Sequence, residues 1–120
     1  MSLRKSSLIG LAFAAALASA GQAQEPSNDQ IAAGRGFALR VCAACHVVTR
    51  DPTEVPTLKP PAPSFPAIAR RPSFSEASLR QFLGSNHRHI GPTSAMPNPQ
   101  LVDYQIDEIV AYLLALKAGR

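Results

Sequence analysis

Seven of the chain's eleven prolines, at positions 52, 56, 60, 61, 63, 66 and 72, fall between Asp51 and Pro72. Proline fixes φ, lacks an N–H and clashes with the preceding turn, so this stretch excludes a long helix or a central strand. It is an extended loop, with room for one helical turn near Ala67 to Arg70, and regular structure must lie on either side of it. Upstream, Ile31 to about Cys42 carries a partial apolar face of Ile31, Phe37, Ala38 and Val41 and reads as a helix capped by Asn28 or Asp29. Gly34 and Gly36 lie inside it; each costs about 1 kcal/mol relative to Ala in a helix interior, so at least one is expected to permit a close helix approach.

Downstream, Ser73-Phe74-Ser75-Glu76 has the form of a capping box, opening a helix after Ser73 or Ser75. That helix runs through Leu79, Phe82 and Leu83 to about Ser85. Asn86 to Gln100 is irregular, with Gly91, Pro92, Pro97 and Pro99. The last helix is expected from about Asp103, as N-cap, to Lys117, with Gly119 just beyond its end. Ile106, Ile109, Val110, Leu113 and Leu114 have the i, i+3, i+4, i+7 spacing of a buried stripe. No stretch alternates as a strand. The expected fold is all-α, with three main helices and long loops.

Residues 1–23 have the form of an export signal. Arg4 and Lys5 make a charged start, Leu8 to Ala18 an apolar core, and small residues offer cleavage after Ala20 or Ala23. The apolar stretch is shorter than the roughly 20 residues a membrane span needs, so no transmembrane span is expected after cleavage. Residues 24–120 then form one domain, expected in the periplasm. Removing Arg4 and Lys5 lowers the formal charge from +4 to +2, and no Lys/Arg cluster suggests a nucleic-acid partner. A chain of this size builds only a marginal core alone, so a buried cofactor would supply apolar contact that the polypeptide lacks.

Cys42-Ala43-Ala44-Cys45-His46 holds both cysteines of the chain. C-x-x-C-H reads as a c-type haem attachment site. Two thiols about one helical turn apart can add to the two vinyl groups on one haem edge, and the next residue projects its imidazole under the iron. A disulfide is the competing use of such a pair in an oxidising compartment. A thioredoxin-like dithiol would want its C-x-x-C near a βαβ pattern, which is missing. A zinc site from Cys42, Cys45, His87 and His89 has the wrong histidine spacing.

Iron held by His46 has a second axial position to fill. Met96 is the only methionine left once the signal is removed, and it sits among prolines in Ala95-Met96-Pro97-Asn98, 50 residues after His46. A thioether is a soft ligand that favours Fe(II) and raises the reduction potential. A lone methionine is ordinarily core filler, but a proline-flanked polar loop is a poor place for one. His87 and His89 are the alternatives and would give bis-histidine ligation at a lower potential.

In these residues the chain resembles the class I (monohaem, His/Met) c-type cytochromes over nearly all of residues 24–120. The order of parts is similar: a helix ending in C-x-x-C-H, a proline-bearing loop, a middle helix, a methionine loop and a final helix. The resemblance implies a small cytochrome c fold around one covalently bound haem c, with Cys42 and Cys45 as attachment points and His46 and Met96 as axial ligands. It also implies that Gly34 lets the first helix cross the last closely and that Tyr112 is the aromatic that packs there. Ala62-Pro63-Ser64-Phe65 resembles the loop whose proline carbonyl accepts the proximal histidine's N–H, which would set that ring's tautomer and basicity. Two departures stand out. The segment between His46 and Pro63 is long, with Ala62 where a glycine is common. Residues 24–120 also hold only two lysines, Lys59 and Lys117, so the lysine-rich docking ring of mitochondrial-type carriers is missing.

The expected function is one-electron transfer to and from redox protein partners such as a dehydrogenase, oxidase or reductase, not catalysis. With both axial positions filled, substrate has no place at the iron. The chain would work as a monomer or as a subunit of a complex. One alternative is the cytochrome subunit of a periplasmic dehydrogenase or similar oxidoreductase, with the loop from Asp51 to Pro72 as contact. The other is a haem enzyme or gas sensor with a labile sixth ligand.

Overall fold

The computed structural model describes residues 24–85 and 96–120; the expected signal segment, His87, His89 and most of the irregular stretch after Ser85 lie outside the described residues. Four helices follow one another: α1 (Asn28–Val41), α2 (Phe65–Ala69), α3 (Glu76–Gly84) and α4 (Asp103–Lys117). Three of them are those expected, and the fourth is the single turn foreseen in the proline-rich segment. Among the described residues there is no strand, only one isolated parallel bridge between His46 and Ala62.

The helix ends differ from the expected ones for identifiable reasons. α1 begins about one turn earlier, because Ser27 rather than Asn28 or Asp29 is the cap. Its hydroxyl accepts from the Gln30 N–H at 3.2 Å while the Gln30 side chain accepts from the Ser27 N–H at 3.1 Å. α3 is capped by Ser75, and its partner in the reciprocal pair is Ser78, not a glutamate. Asp103 is the first residue of α4 and not its cap; Val102 precedes it, and the Gln105 side chain reaches back to the Val102 N–H at 3.1 Å. The chain turns into α4 through Gln100, at φ 51°, whose N–H is taken by the Asn98 side chain at 2.8 Å. α2 tolerates Pro66 because proline near a helix start forfeits no intrahelical bond.

α4 is the centre of the molecule: α1, α2 and α3 all pack against it, α1 most extensively. Val110 and Leu113 of α4 are its largest fully buried side chains, and Phe37, Ala38, Val48, Phe65, Phe74 and Leu83 close around them. Gly34 marks the crossing of α1 over α4. A Cβ there would meet the Glu108 carbonyl oxygen at 1.9 Å and Tyr112 Cβ at 2.9 Å, so only glycine allows the two backbones to approach this closely. Gly36 has no such role; a Cβ there would meet only the tip of Arg40, at 3.3 Å. Arg80 ties α3 to α4 through Asp107 at 2.5 Å. Among the described residues no helix is long and apolar enough to cross a membrane.

Candidate functional site

The cysteine motif is the turn that follows α1, with Cys42 as the helix's C-cap. The N–H groups of Cys42 and Ala43 both bond the Ala38 carbonyl, at 2.9 and 3.1 Å. The Cys42 carbonyl in turn accepts from the N–H groups of Cys45 at 3.1 Å and His46 at 2.9 Å. Positions i, i+3 and i+4 of such a turn share one face, so both thiols and the imidazole project to the same side. All three residues are half-buried, and neither cysteine is in a disulfide. Burial, with a smaller contribution from Cys45, pushes the Cys42 thiol up to about 11, so at neutral pH it is a neutral thiol.

The proline-rich segment is zipped onto this turn. The Leu58 N–H and the Thr57 hydroxyl both donate to the Ala44 carbonyl, the Ala62 N–H donates to Cys45 at 2.9 Å, and the Phe65 N–H donates to Val47 at 2.9 Å. These bonds hold Pro63 over His46, whose Nδ1 lies 2.7 Å from the Pro63 carbonyl oxygen. A carbonyl can only accept, so the proton of the neutral ring is on Nδ1 and the lone pair is on Nε2. The imidazole is thereby aimed and held in the tautomer a metal ligand needs.

Behind His46 stands a column of rings. Its imidazole packs on Phe65 at 5.4 Å between centroids, and Phe65 packs on Tyr112 at 6.4 Å, both tilted. The Tyr112 hydroxyl donates to the Val48 carbonyl at 2.7 Å, so the residue two after His46 is tied to α4. Burial raises the Tyr112 pKa, and Arg35 and Arg50 oppose that rise. Gly34, Tyr112, Phe65, Pro63 and His46 thus form one continuous support. Nothing in the sequence pointed to Val48, Ala44 or Glu108, because each acts through a backbone carbonyl that every residue type carries.

Residues 31–117 match the family model for cytochrome c. The chain is also 34% identical over 84 residues to cytochrome c-552 of Bradyrhizobium diazoefficiens, an alignment covering 70% of this chain and 72% of that protein. The chain belongs to the cytochrome c family. No solved structure matches it. Cytochrome c membership carries with it one covalently bound haem c and supports monohaem electron transfer.

The residues present fit that cofactor. Two free thiols one turn apart share a face with an imidazole whose Nε2 is left unprotonated, the donor set that a c-type haem requires. Among the described residues no cluster of three or more His, Cys, Asp or Glu side chains is arranged to hold a bare metal ion. Met96 is half-buried and, like Cys42, packs against the margin of the core. The competing ligands His87 and His89 lie outside the described residues.

Proposed function

We propose that the chain is an exported, periplasmic one-electron carrier in which Cys42 and Cys45 hold the haem and His46 and Met96 ligate its iron. The observation that carries this reading is the 2.7 Å bond from His46 Nδ1–H to the Pro63 carbonyl. It leaves Nε2 as the only ring atom able to bind a metal and strengthens it as a donor. When bound, the haem supplies an Fe(III)/Fe(II) couple. The protein's part is positional: the zipped loop and the ring column hold His46 still, the α1 turn fixes both thiols, and Met96 offers a soft sulfur that favours the reduced state. Export is supported by the charged start and apolar run of residues 1–23.

Visible spectra of the oxidised and reduced protein test the ligand set. A weak far-red sulfur-to-iron band in the oxidised form is expected, with slow and incomplete carbon monoxide binding to the reduced form at neutral pH. Rapid, complete binding would instead assign the chain to the haem enzymes or gas sensors. The Cys42→Ala/Cys45→Ala double variant should lose its haem on a denaturing gel, and the mass of protein from the periplasm should begin at Gly21 or Gln24.

A second reading, the cytochrome subunit of a periplasmic dehydrogenase or related complex, rests on the apolar tip of the proline-rich loop. Val55 is 77% exposed and Leu58 45% exposed, and Leu58 is bonded beside Ala44 of the attachment turn. A permanent partner on this surface would survive purification in high salt, whereas a transient electrostatic contact would not.

A further inference from the structure

Three arginines far apart in sequence meet in one cleft that Tyr112 also lines. Arg35 comes from α1, Arg50 from the segment after the attachment turn and Arg120 from the end of α4. Ile31, Thr49, Asp51, Tyr112 and Leu116 complete an open cavity of about 250 Å³. Two of the guanidiniums are held in place: Arg50 donates to the Leu116 carbonyl, and Arg35 interacts with the Tyr112 hydroxyl. Both keep further N–H donors. Among the described residues the ion pairs are those of Arg80, so none of these three arginines has a carboxylate within pairing distance. Asp51 offsets one of the three charges and leaves an excess of two among the lining side chains.

Thr49 supplies an independent observation. It is 9% exposed, the one buried polar residue among those described, and it lines the same cleft. Its hydroxyl makes no hydrogen bond among the described residues, although buried hydroxyls are ordinarily bonded. Converging cations in excess of their counter-charge and a buried hydroxyl without a partner are both satisfied by an oxyanion, which accepts from guanidinium forks and O–H groups alike. The cleft's volume is about 250 Å³. That is below the range of about 300–1,000 Å³ typical for larger organic ligands.

We propose that this cleft binds a compact, multiply charged oxyanion of the phosphate type, either free or as a lipid headgroup. Arg50, Arg35 and Arg120 donate to its oxygens, and Thr49 adds a hydroxyl donor. The site is separate from the haem ligands, so it stands or falls independently of the electron-transfer reading.

The test titrates inorganic phosphate into the reduced, haem-loaded protein at constant ionic strength, followed by calorimetry and amide NMR. Saturable one-to-one binding is expected, with the largest shifts at Thr49, Arg50 and Arg120. Arg50→Gln and Arg120→Gln should each weaken it about tenfold, the share of one charge-assisted bond. Arg120 lies beyond the end of α4, so its variant tests the site without endangering the fold. Vesicles of phosphatidylcholine, with and without phosphatidic acid, separate the two sources. A headgroup site predicts sedimentation with the acidic vesicles that both variants and added phosphate abolish; a free-anion site predicts phosphate binding with no sedimentation. Absence of saturable phosphate binding, or variants within twofold of wild type, would overturn the proposal.

Discussion

Replacing Gly34 by alanine adds one methyl group where the structure has no room for it. The new Cβ would lie 1.9 Å from the Glu108 carbonyl oxygen, 2.6 Å from the Glu108 carbonyl carbon and 2.9 Å from Tyr112 Cβ. Two of these are backbone atoms in the middle of α4, and the third is the stem of a ring held by its own hydrogen bond to Val48. No rotamer change relieves such a contact. α1 must therefore move away by about 1.5 Å to reach an ordinary separation, opening the face where Phe37 and Ala38 are buried. Overpacking typically costs about 1–3 kcal/mol when side chains can yield; here the opposing atoms are backbone, so the upper end or slightly beyond applies. Against it stands a gain of about 1 kcal/mol from helix propensity. The expected net loss is about 2–3 kcal/mol, a large share of the roughly 5–15 kcal/mol that holds a domain together.

Urea unfolding of the haem-loaded protein measures this directly. With a slope of about 1.5 kcal/mol/M the midpoint should fall by about 1.3–2 M, the slope itself unchanged. Gly36→Ala is the matched control, because it is the same chemical change two residues along the same helix. Its Cβ meets only the flexible end of Arg40, so the propensity gain survives and the midpoint should stay or rise. A Gly34→Ala protein as stable as wild type, or two variants that shift alike, would refute the claim that backbone approach at Gly34 sets the α1–α4 crossing.

Met96→Ala should keep haem covalently attached while losing the low-spin His/Met spectrum and lowering the reduction potential; an unchanged spectrum and potential would remove Met96 from the iron. Tyr112→Phe leaves the buried Val48 carbonyl without its donor and should cost about 1–3 kcal/mol in thermal or urea unfolding. Burial raises the Tyr112 pKa above the usual value near 10, so as pH climbs past about 10 the unfolded chain loses that proton first and wild-type stability falls. Tyr112→Phe should lack this part of the alkaline loss, and a profile parallel to wild type would contradict it. Pro63→Ala keeps the carbonyl that His46 uses and removes only stiffness. It should therefore cost about 0.4–1 kcal/mol of stability with little change in potential, and a large potential shift would mean that the ring matters beyond its carbonyl.

What was legible in the sequence followed from side-chain identity and spacing. The i, i+3, i+4 stripe of Ile106, Ile109, Val110 and Leu113 marked α4, all four of them buried, and the prolines marked the loop. Cap assignments were less legible, since Ser27, Asn28 and Asp29 are comparable N-cap residues and only the reach of Gln30 decides between them. At the site, the attachment motif stood out because its residue types are rare and chemically specific. Its supports were harder to see: Val48, Ala44 and Glu108 contribute carbonyls, which no sequence pattern distinguishes. The arginine cleft was hidden for a different reason, because Arg35, Arg50 and Arg120 meet only once α1 has crossed α4.

The proline-rich segment and the attachment turn explain each other. A loop that must lie against another segment needs donors at some positions and stiffness at others, and here the two alternate. Leu58, Ala62 and Phe65 donate to Ala44, Cys45 and Val47, while the positions around them, 56, 60, 61, 63 and 66, are the prolines. Proline removes conformations from the unfolded chain, so the loop forfeits less entropy when it settles. It also donates nothing yet keeps its carbonyl, and at Pro63 that carbonyl is the atom His46 requires. The residue that forbids helix and strand here is therefore the one that orients the imidazole. A small domain with little core to spare obtains a rigidly held imidazole by stiffening the segment that holds it.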